Sequence, residues 1–209
     1  MYIPTKYLIE NWDQQEALIK KYPLATVVTT GPEGLYANHF PFFLHQDEAT
    51  GKKYLHAHIA KKNPQVPLLL ENDNVLVIFQ SHDSYISPSY YPGKQETHKY
   101  VPTWDFAAVH IKGKSRLIDD AKWVRKQLNN FTDQNEAPRE KPWQVDEAPE
   151  KYLEIMQKAI IGLEIEIEKI ESKFKFEQKM KKEDIEGVVE GLAADGITEV
   201  SDFVKHSNT

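Results

Sequence analysis

Short β-branched, apolar or alternating runs bounded by turn residues recur through the first half of the chain, and the strands they predict outnumber the helices between them. Leu24 to Thr30, LATVVTT, is rich in β-branched residues and reads as a strand. Gly31-Pro32-Glu33-Gly34 is a turn, and Leu35 to Leu44 is the returning strand. Pro41 lies inside it, and a residue that cannot donate to a ladder marks an edge or a bulge. Tyr54 to Ile59 alternates with His56 and His58 on one face. Asn74 to Gln80, NVLVIFQ, is almost wholly apolar and predicts a strand buried on both faces. From His98 to Lys114 a turn at Pro102 becomes a strand, with Trp104 and Phe106 at the transition. Ala108, His110 and Lys112 then face one way, and Val109, Ile111 and Gly113 the other. Gly162 to Ile170 places Leu163, Ile165 and Ile167 inward and Glu164, Glu166 and Glu168 outward, and Ser172 to Lys179 extends it past a bend.

Helical spacing is confined to shorter stretches. Asp13 to Glu16 reads as a capping box for a helix that Pro23 stops. Asn63 as N-cap and Pro64 at the first helical position predict a helix through Glu71. Asp119 or Asp120 caps a helix striped by Val124, Leu128 and Phe131. Thr132 to Glu150 reads as a linker, followed by a short helix from about Pro149 to Lys158. Ile185, Val188, Val189 and Leu192 form a helix that Gly196 ends, and another follows Thr198. Ser81 to Lys99 reads as a functional loop, because its tyrosines would be costly to leave in water. The fold class is mainly β with peripheral helices: an antiparallel barrel, closed or half closed, over residues 1–180, with a C-terminal helical tail over 181–209.

The chain has 209 residues and a net charge of −6, so its surface as a whole does not attract nucleic acid. It has no cysteine, which removes disulfides, thiolate metal sites and a cysteine nucleophile, and fits a reducing cytoplasm. The start, MYIPTKYLIENW, lacks the order of a secretory signal, and no apolar run reaches the length of a membrane span. A cytoplasmic location is the expectation.

Few residues suggest chemistry. Lys61 and Lys62, at a strand end and before a helix, are either a phosphate site or a solvated pair. His56 and His58, with His39 as a third group, offer a weak metal set without cysteine or a flanking carboxylate; bonding to a ligand or a polar interior fits them better, and no metal is expected. His82, Asp83 and Ser84 are sequence neighbours whose side chains diverge, so they make no triad, and there is no glycine-rich dinucleotide loop. Lys169 to Lys182 is a basic run with Phe174 and Phe176 between its lysines, read either as a solvated strand face or as a nucleic-acid contact.

Several segments together resemble one family. MYIPTKY, LATVVTT, NHFPFFL, HIAKKNPQ, SYISPSYY and above all VPTWDFAAVHIKGK are similar to the PaiB family of FMN-binding negative transcriptional regulators, from Met1 to about Lys179. The resemblance implies a split β-barrel of the pyridoxamine-phosphate-oxidase and flavin-reductase type, FMN as cofactor, and a homodimer with flavin at the subunit interface. It puts Lys61 and Lys62 on the FMN phosphate, and His56, with His58 on the same strand face, near the phosphate or ribityl chain. Asn38, His39 and Phe40 would offer backbone to the isoalloxazine ring. Trp104, Ala107 and His110 would lie on the strand closing the flavin pocket, and Gln178 would be a flavin contact. Asp105 stands where the family commonly has asparagine and would add negative charge near the ring; Tyr90 replaces a common tryptophan, and FEQKM departs from the family's LSQN. The function implied is regulation, through DNA or a regulatory protein partner, and no helix-turn-helix is evident for the former. The alternative is an FMN-dependent oxidoreductase acting with a reduced nicotinamide or a small electrophile, with no catalytic residue assigned. A third possibility is a related fold that binds another ligand such as haem.

Overall fold

The computed structural model describes residues 1–208. In chain order the elements are α1 (Trp12–Lys21), β1 (Leu24–Gly31), β2 (Gly34–Pro41), β3 (Phe43–Gln46), β4 (Lys53–Ala60), α2 (Gln65–Glu71), β5 (Asn74–Gln80), β6 (Ser84–Ile86), α3 (Lys94–Thr97), β7 (Thr103–Ile118), α4 (Ala121–Glu136), α5 (Glu150–Lys158), β8 (Ile160–Lys175), α6 (Lys182–Ala194) and α7 (Thr198–His206). The described residues divide into two compact units, one of residues 1–18, 80–109 and the described residues from 171 on, the other of residues 19–79 and 110–170.

The second unit holds most of the sheet, whose strand order is β2-β1-β5-β7-β8-β4-β3. β1 and β2 pair antiparallel from Leu24↔Pro41 to Gly31↔Gly34, as a tight turn requires. β4 pairs antiparallel with β8, Leu55 opposite Ile165 and His56 opposite Glu164. The inward residues Val27, Leu55, Ala57, Val77, Phe79, Ile111, Leu163 and Ile165 are buried, and Phe42 meets Phe79 edge to face with centroids 6.1 Å apart.

Proline shapes one strand end. Pro41 closes β2, the chain steps out of the ladder at Phe42, whose N–H donates to Pro23 O (2.9 Å), and pairing resumes in β3. β5 departs from expectation: only Val75, Val77 and Phe79 are buried, while Leu76 and Ile78 stay partly open. The first helix is capped by Asn11, whose Oδ1 accepts from Gln14 N (3.0 Å), rather than by Asp13. Asp120 caps α4 by accepting from Trp123 N (2.7 Å), and α4 runs to Glu136, into the stretch read as a linker.

In the first unit, β6 pairs with the start of β7, Tyr85 opposite Trp104. α6 and α7 pack on each other, and Phe176 stacks on Phe203 at 5.0 Å. Three tyrosines of the 84–100 segment bond carboxylates of the C-terminal segment: Tyr90 to Asp195, Tyr91 to Glu177 (2.8 Å) and Tyr100 to Asp184 (2.6 Å). A Cβ at Gly187 or Gly191 would strike Tyr90, so two glycines one helical turn apart make room for it. Among the described residues no helix is long and apolar enough to cross a membrane.

Candidate functional site

Side-chain amides cluster at the β2 edge. Gln65, the first residue of α2, is fully buried; its Nε2 donates to Val27 O (3.2 Å) and Thr29 Oγ1 (3.0 Å). Its Oε1 accepts from Asn38 Nδ2 (3.1 Å), which also reaches Asn63 Oδ1 (3.3 Å). Asn63 Oδ1 in turn accepts from Gln65 N (2.8 Å). An unpaired amide here would be costly, and each finds a partner. Asn38 therefore sits in a rigid cluster, Phe40 is buried, and His39 points outward and is exposed. β2 ends the strand order, so its outer backbone edge has no ladder partner in the sheet.

The two strand histidines lie elsewhere in this unit, under α4. His56 Nε2 donates to Glu164 Oε2 (3.0 Å), its ring stacks on His45 at 4.8 Å, and Trp123 meets it edge-on at 5.0 Å. Burial drives the His56 pKa down to about 4, outweighing the attraction of Glu164, so the ring is neutral at physiological pH. His58 Nδ1 donates to Gln127 Oε1 (2.8 Å). Lys61 Nζ is held by Asp119 Oδ1 at 2.6 Å, while Lys62 is exposed and makes no ion pair among the described residues. His110 is half-buried on β7. The residues expected together thus fall into two groups here, Asn38 with Asn63 and Gln65, and His56 with His58 beneath α4.

In the other unit, Trp104 is half-exposed, donates from Nε1 to Asp83 Oδ1 (2.8 Å), and meets Tyr85 edge-on at 6.2 Å. Ala107 is buried, its N–H bonded to Ser81 Oγ (2.8 Å). Gln178 braces its own chain: Oε1 accepts from Phe176 N (2.8 Å) and Nε2 donates to Phe174 O (2.9 Å), across a bend where Glu177 and Lys179 have positive φ. Asp105 is fully buried and paired with Lys175 at 3.0 Å. Burial and the neighbouring Glu177 push its pKa up to about 7, so it is not the bare negative charge expected from its position.

Sequence reasoning did not single out Gln65 or Glu164. Gln65 stands in the NPQ segment, but a buried glutamine at a helix start looks like an ordinary first-turn residue. Glu164 reads as an outward carboxylate on a wet strand face; α4 covers that face, and Glu164 binds both His56 and Arg116, whose Nη2 lies at 2.7 Å. No group of three or more His, Cys, Asp or Glu side chains among the described residues is placed to hold a metal.

Known proteins resemble this chain in sequence and in fold. The family described as "Putative FMN-binding domain" matches residues 1–169. A protein of Emericella nidulans, "Uncharacterized protein AN0679", is 35% identical over 85% of this chain and 84% of its own length. "Protease synthase and sporulation protein PAI 2" of Bacillus subtilis is 30% identical over 92% of this chain and 89% of its own. Among solved structures, the flavocytochrome Anf3 of Azotobacter vinelandii is similar with a TM-score of 0.58 at 17% identity, covering 85% of this chain and 74% of that one. The FAD and haem binding protein of Mycobacterium smegmatis gives 0.57 at 17% identity, covering 86% and 79%. The fold is thus that of the flavin-binding split barrels.

Proposed function

Because the chain belongs to the FMN-binding domain family, we propose that it works as a homodimeric FMN protein whose flavin lies along the outer edge of β2, and that it regulates through a protein partner. The observation that carries this reading is the outward face of β1, β2 and β5. Ala37, Val28 and Leu76 stand in one row across the three strands, and His39, Thr26 and Ile78 in another. Leu24 and Leu35, 61% and 77% exposed, extend the same face. A strand as apolar as β5 with one side open to water is expected where a second subunit covers it.

The residues present fit FMN. The unpaired backbone edge of β2 offers donors and acceptors for a planar ring with polar edges. Asn38 is fixed beside it by Asn63 and Gln65, and Lys62 is a cation without an ion-pair partner for the phosphate. FMN itself would supply redox chemistry, and these residues would position it. A partner protein is favoured over DNA by the net charge of −6.

The test is an absorbance spectrum of the purified protein, then a titration with FMN. Flavin bands, or saturable binding at one FMN per subunit, support the reading; no binding at micromolar FMN overturns it. A second reading, an FMN-dependent oxidoreductase, is favoured by the exposed Trp104–Tyr85 pair, a surface on which a planar substrate can stack. Flavin-dependent oxidation of a reduced nicotinamide would support it, and none with flavin bound would exclude nicotinamide as its donor.

A further inference from the structure

A separate cavity of about 210 Å³ lies between α4 and the β3–β4–β8 part of the sheet. This is below the roughly 300–1,000 Å³ of pockets for drug-sized ligands, so it suits a single ring rather than a flavin. Its wall is aromatic: His45 stacks on the neutral His56, with Tyr54 and Trp123 alongside. Gly162 keeps this wall open, because a Cβ there would collide with the Trp123 ring.

The polar groups of the cavity are unequally satisfied. Glu164 is occupied, accepting from His56 at one oxygen and from Arg116 Nε (3.2 Å) and Nη2 (2.7 Å) at the other. Asp47 is tied to its own turn, accepting from Thr50 N (2.8 Å) and Thr50 Oγ1 (3.0 Å). Among the lining groups, one buried donor and one cation remain without partners. Gln127 is only 2% exposed, and while its Oε1 accepts from His58, its buried Nε2 has no hydrogen-bond partner. Next to it in sequence, Lys126 makes no ion pair among the described residues. A buried amide donor without an acceptor, beside an unpaired ammonium, calls for an oxygen anion. Only one cation is unpaired, so a monoanion suits the site better than a phosphate dianion.

We propose that this cavity is a second ligand site, for a single-ring aromatic or heteroaromatic carboxylate whose ring lies against His45 and Trp123 and whose carboxylate meets Gln127 Nε2 and Lys126. The site makes no use of the flavin edge at β2, so its occupancy is independent of FMN.

Calorimetric titration of the full chain with benzoate, with and without added FMN, tests this. Saturable binding of one benzoate per subunit is expected, unchanged by FMN. Gln127→Glu keeps the oxygen that accepts from His58 but replaces the amide donor with a charge, and should weaken benzoate at least tenfold. Lys126→Met, at an exposed position that leaves the fold intact, should weaken it by about tenfold. Absence of saturable binding at millimolar benzoate, or binding that neither variant changes, overturns the proposal. Preference for benzylamine over benzoate would also overturn it, by showing that Asp47 and Glu164 set the charge of the ligand.

Discussion

Lys175 lies 3.0 Å from Asp105, whose side chain is wholly buried, and the same ammonium also donates to Thr103 Oγ1 and Trp104 O, each at 2.8 Å. The second oxygen of Asp105 has no hydrogen-bond partner, and Glu177 is close enough to oppose its ionisation. Near neutral pH the side chain therefore carries a proton for a substantial fraction of the time. A protonated aspartic acid resembles asparagine in being neutral, with one donor and one acceptor side. This accounts for an aspartate at the position after the tryptophan where the resembling family commonly has asparagine.

The consequence is a pH dependence of stability. With its pKa raised from 3.8 to about 7, folded Asp105 keeps a proton that the unfolded chain releases between those values. The folded state then binds more protons, so this group's contribution to stability falls as pH rises from about 4 to about 7 and is level above that. Asp105→Asn removes the fall. Relative to the parent protein, the variant should gain stability between about pH 5 and pH 8, by up to roughly 3 kcal/mol. Urea midpoints at the two pH values measure it, and a constant difference between the two proteins would show that Asp105 titrates normally.

The amide cluster gives a second expectation. Gln65→Leu removes two donated bonds and one accepted bond from a fully buried site, leaving Thr29 Oγ1 and Asn38 Nδ2 short of partners. The cost should be about 1–3 kcal/mol, with a parallel loss of FMN affinity because Asn38 is no longer fixed. Denaturation and FMN titration of the same sample read both. Lost stability with unchanged FMN affinity would separate the cluster from the flavin.

The strands were legible because each leaves a local signature: β1 in its β-branched content, β5 in its apolar run, and β4 and the start of β8 in a two-residue alternation, all close to where they were expected. What was not legible depends on what covers a face. The pattern of Asn74 to Gln80 says the strand is apolar on both sides, but not that one side stays open within a single chain. Glu164 and His56 read as separate polar residues because α4, far along the chain, is what encloses them. The Lys61–Lys62 pair divides for the same reason, since Asp119 claims only the first. Gln178, expected as a ligand contact, bonds its own backbone at a bend that the sequence marks with no glycine.

The divided lysine pair predicts unequal effects. Lys62→Ala should weaken FMN by about tenfold or more, the range for losing a charge-assisted phosphate bond. Lys61→Ala should matter less for FMN, since Lys61 is already committed to Asp119. FMN titration of the two single variants decides it, and a larger effect at Lys61 would mean that the ion pair opens when flavin binds.

Close packing between β7 and β8 sets a further limit. A Cβ on Gly113 would collide with the backbone oxygen of Glu166, which cannot swing away as a side chain could. Gly51, by contrast, has open space around it and only a positive φ of 70°. Gly113→Ala should cost about 3 kcal/mol or more through overpacking, whereas Gly51→Ala should cost about 1 kcal/mol through backbone strain alone. Equal losses in thermal denaturation would mean that the strands separate at little cost.

The outward face of β5 carries the most consequential prediction. Ile78 lies opposite Thr26, in the row that ends at the exposed His39, and Leu76 lies opposite Val28. Neither belongs fully to the core of a single chain, so a charge at Ile78 should leave the fold intact while making a paired face costly to form. Ile78→Glu should shift the protein to a monomer in sedimentation analysis, with a melting temperature close to that of the parent after allowance for subunit concentration. If flavin is held between subunits, the same change should lower FMN affinity in step with dissociation, and raising the protein concentration should restore part of it. A variant that stays dimeric would place the interface elsewhere. A monomer that keeps full FMN affinity would show that one subunit suffices for the cofactor, and that the apolar face serves assembly alone.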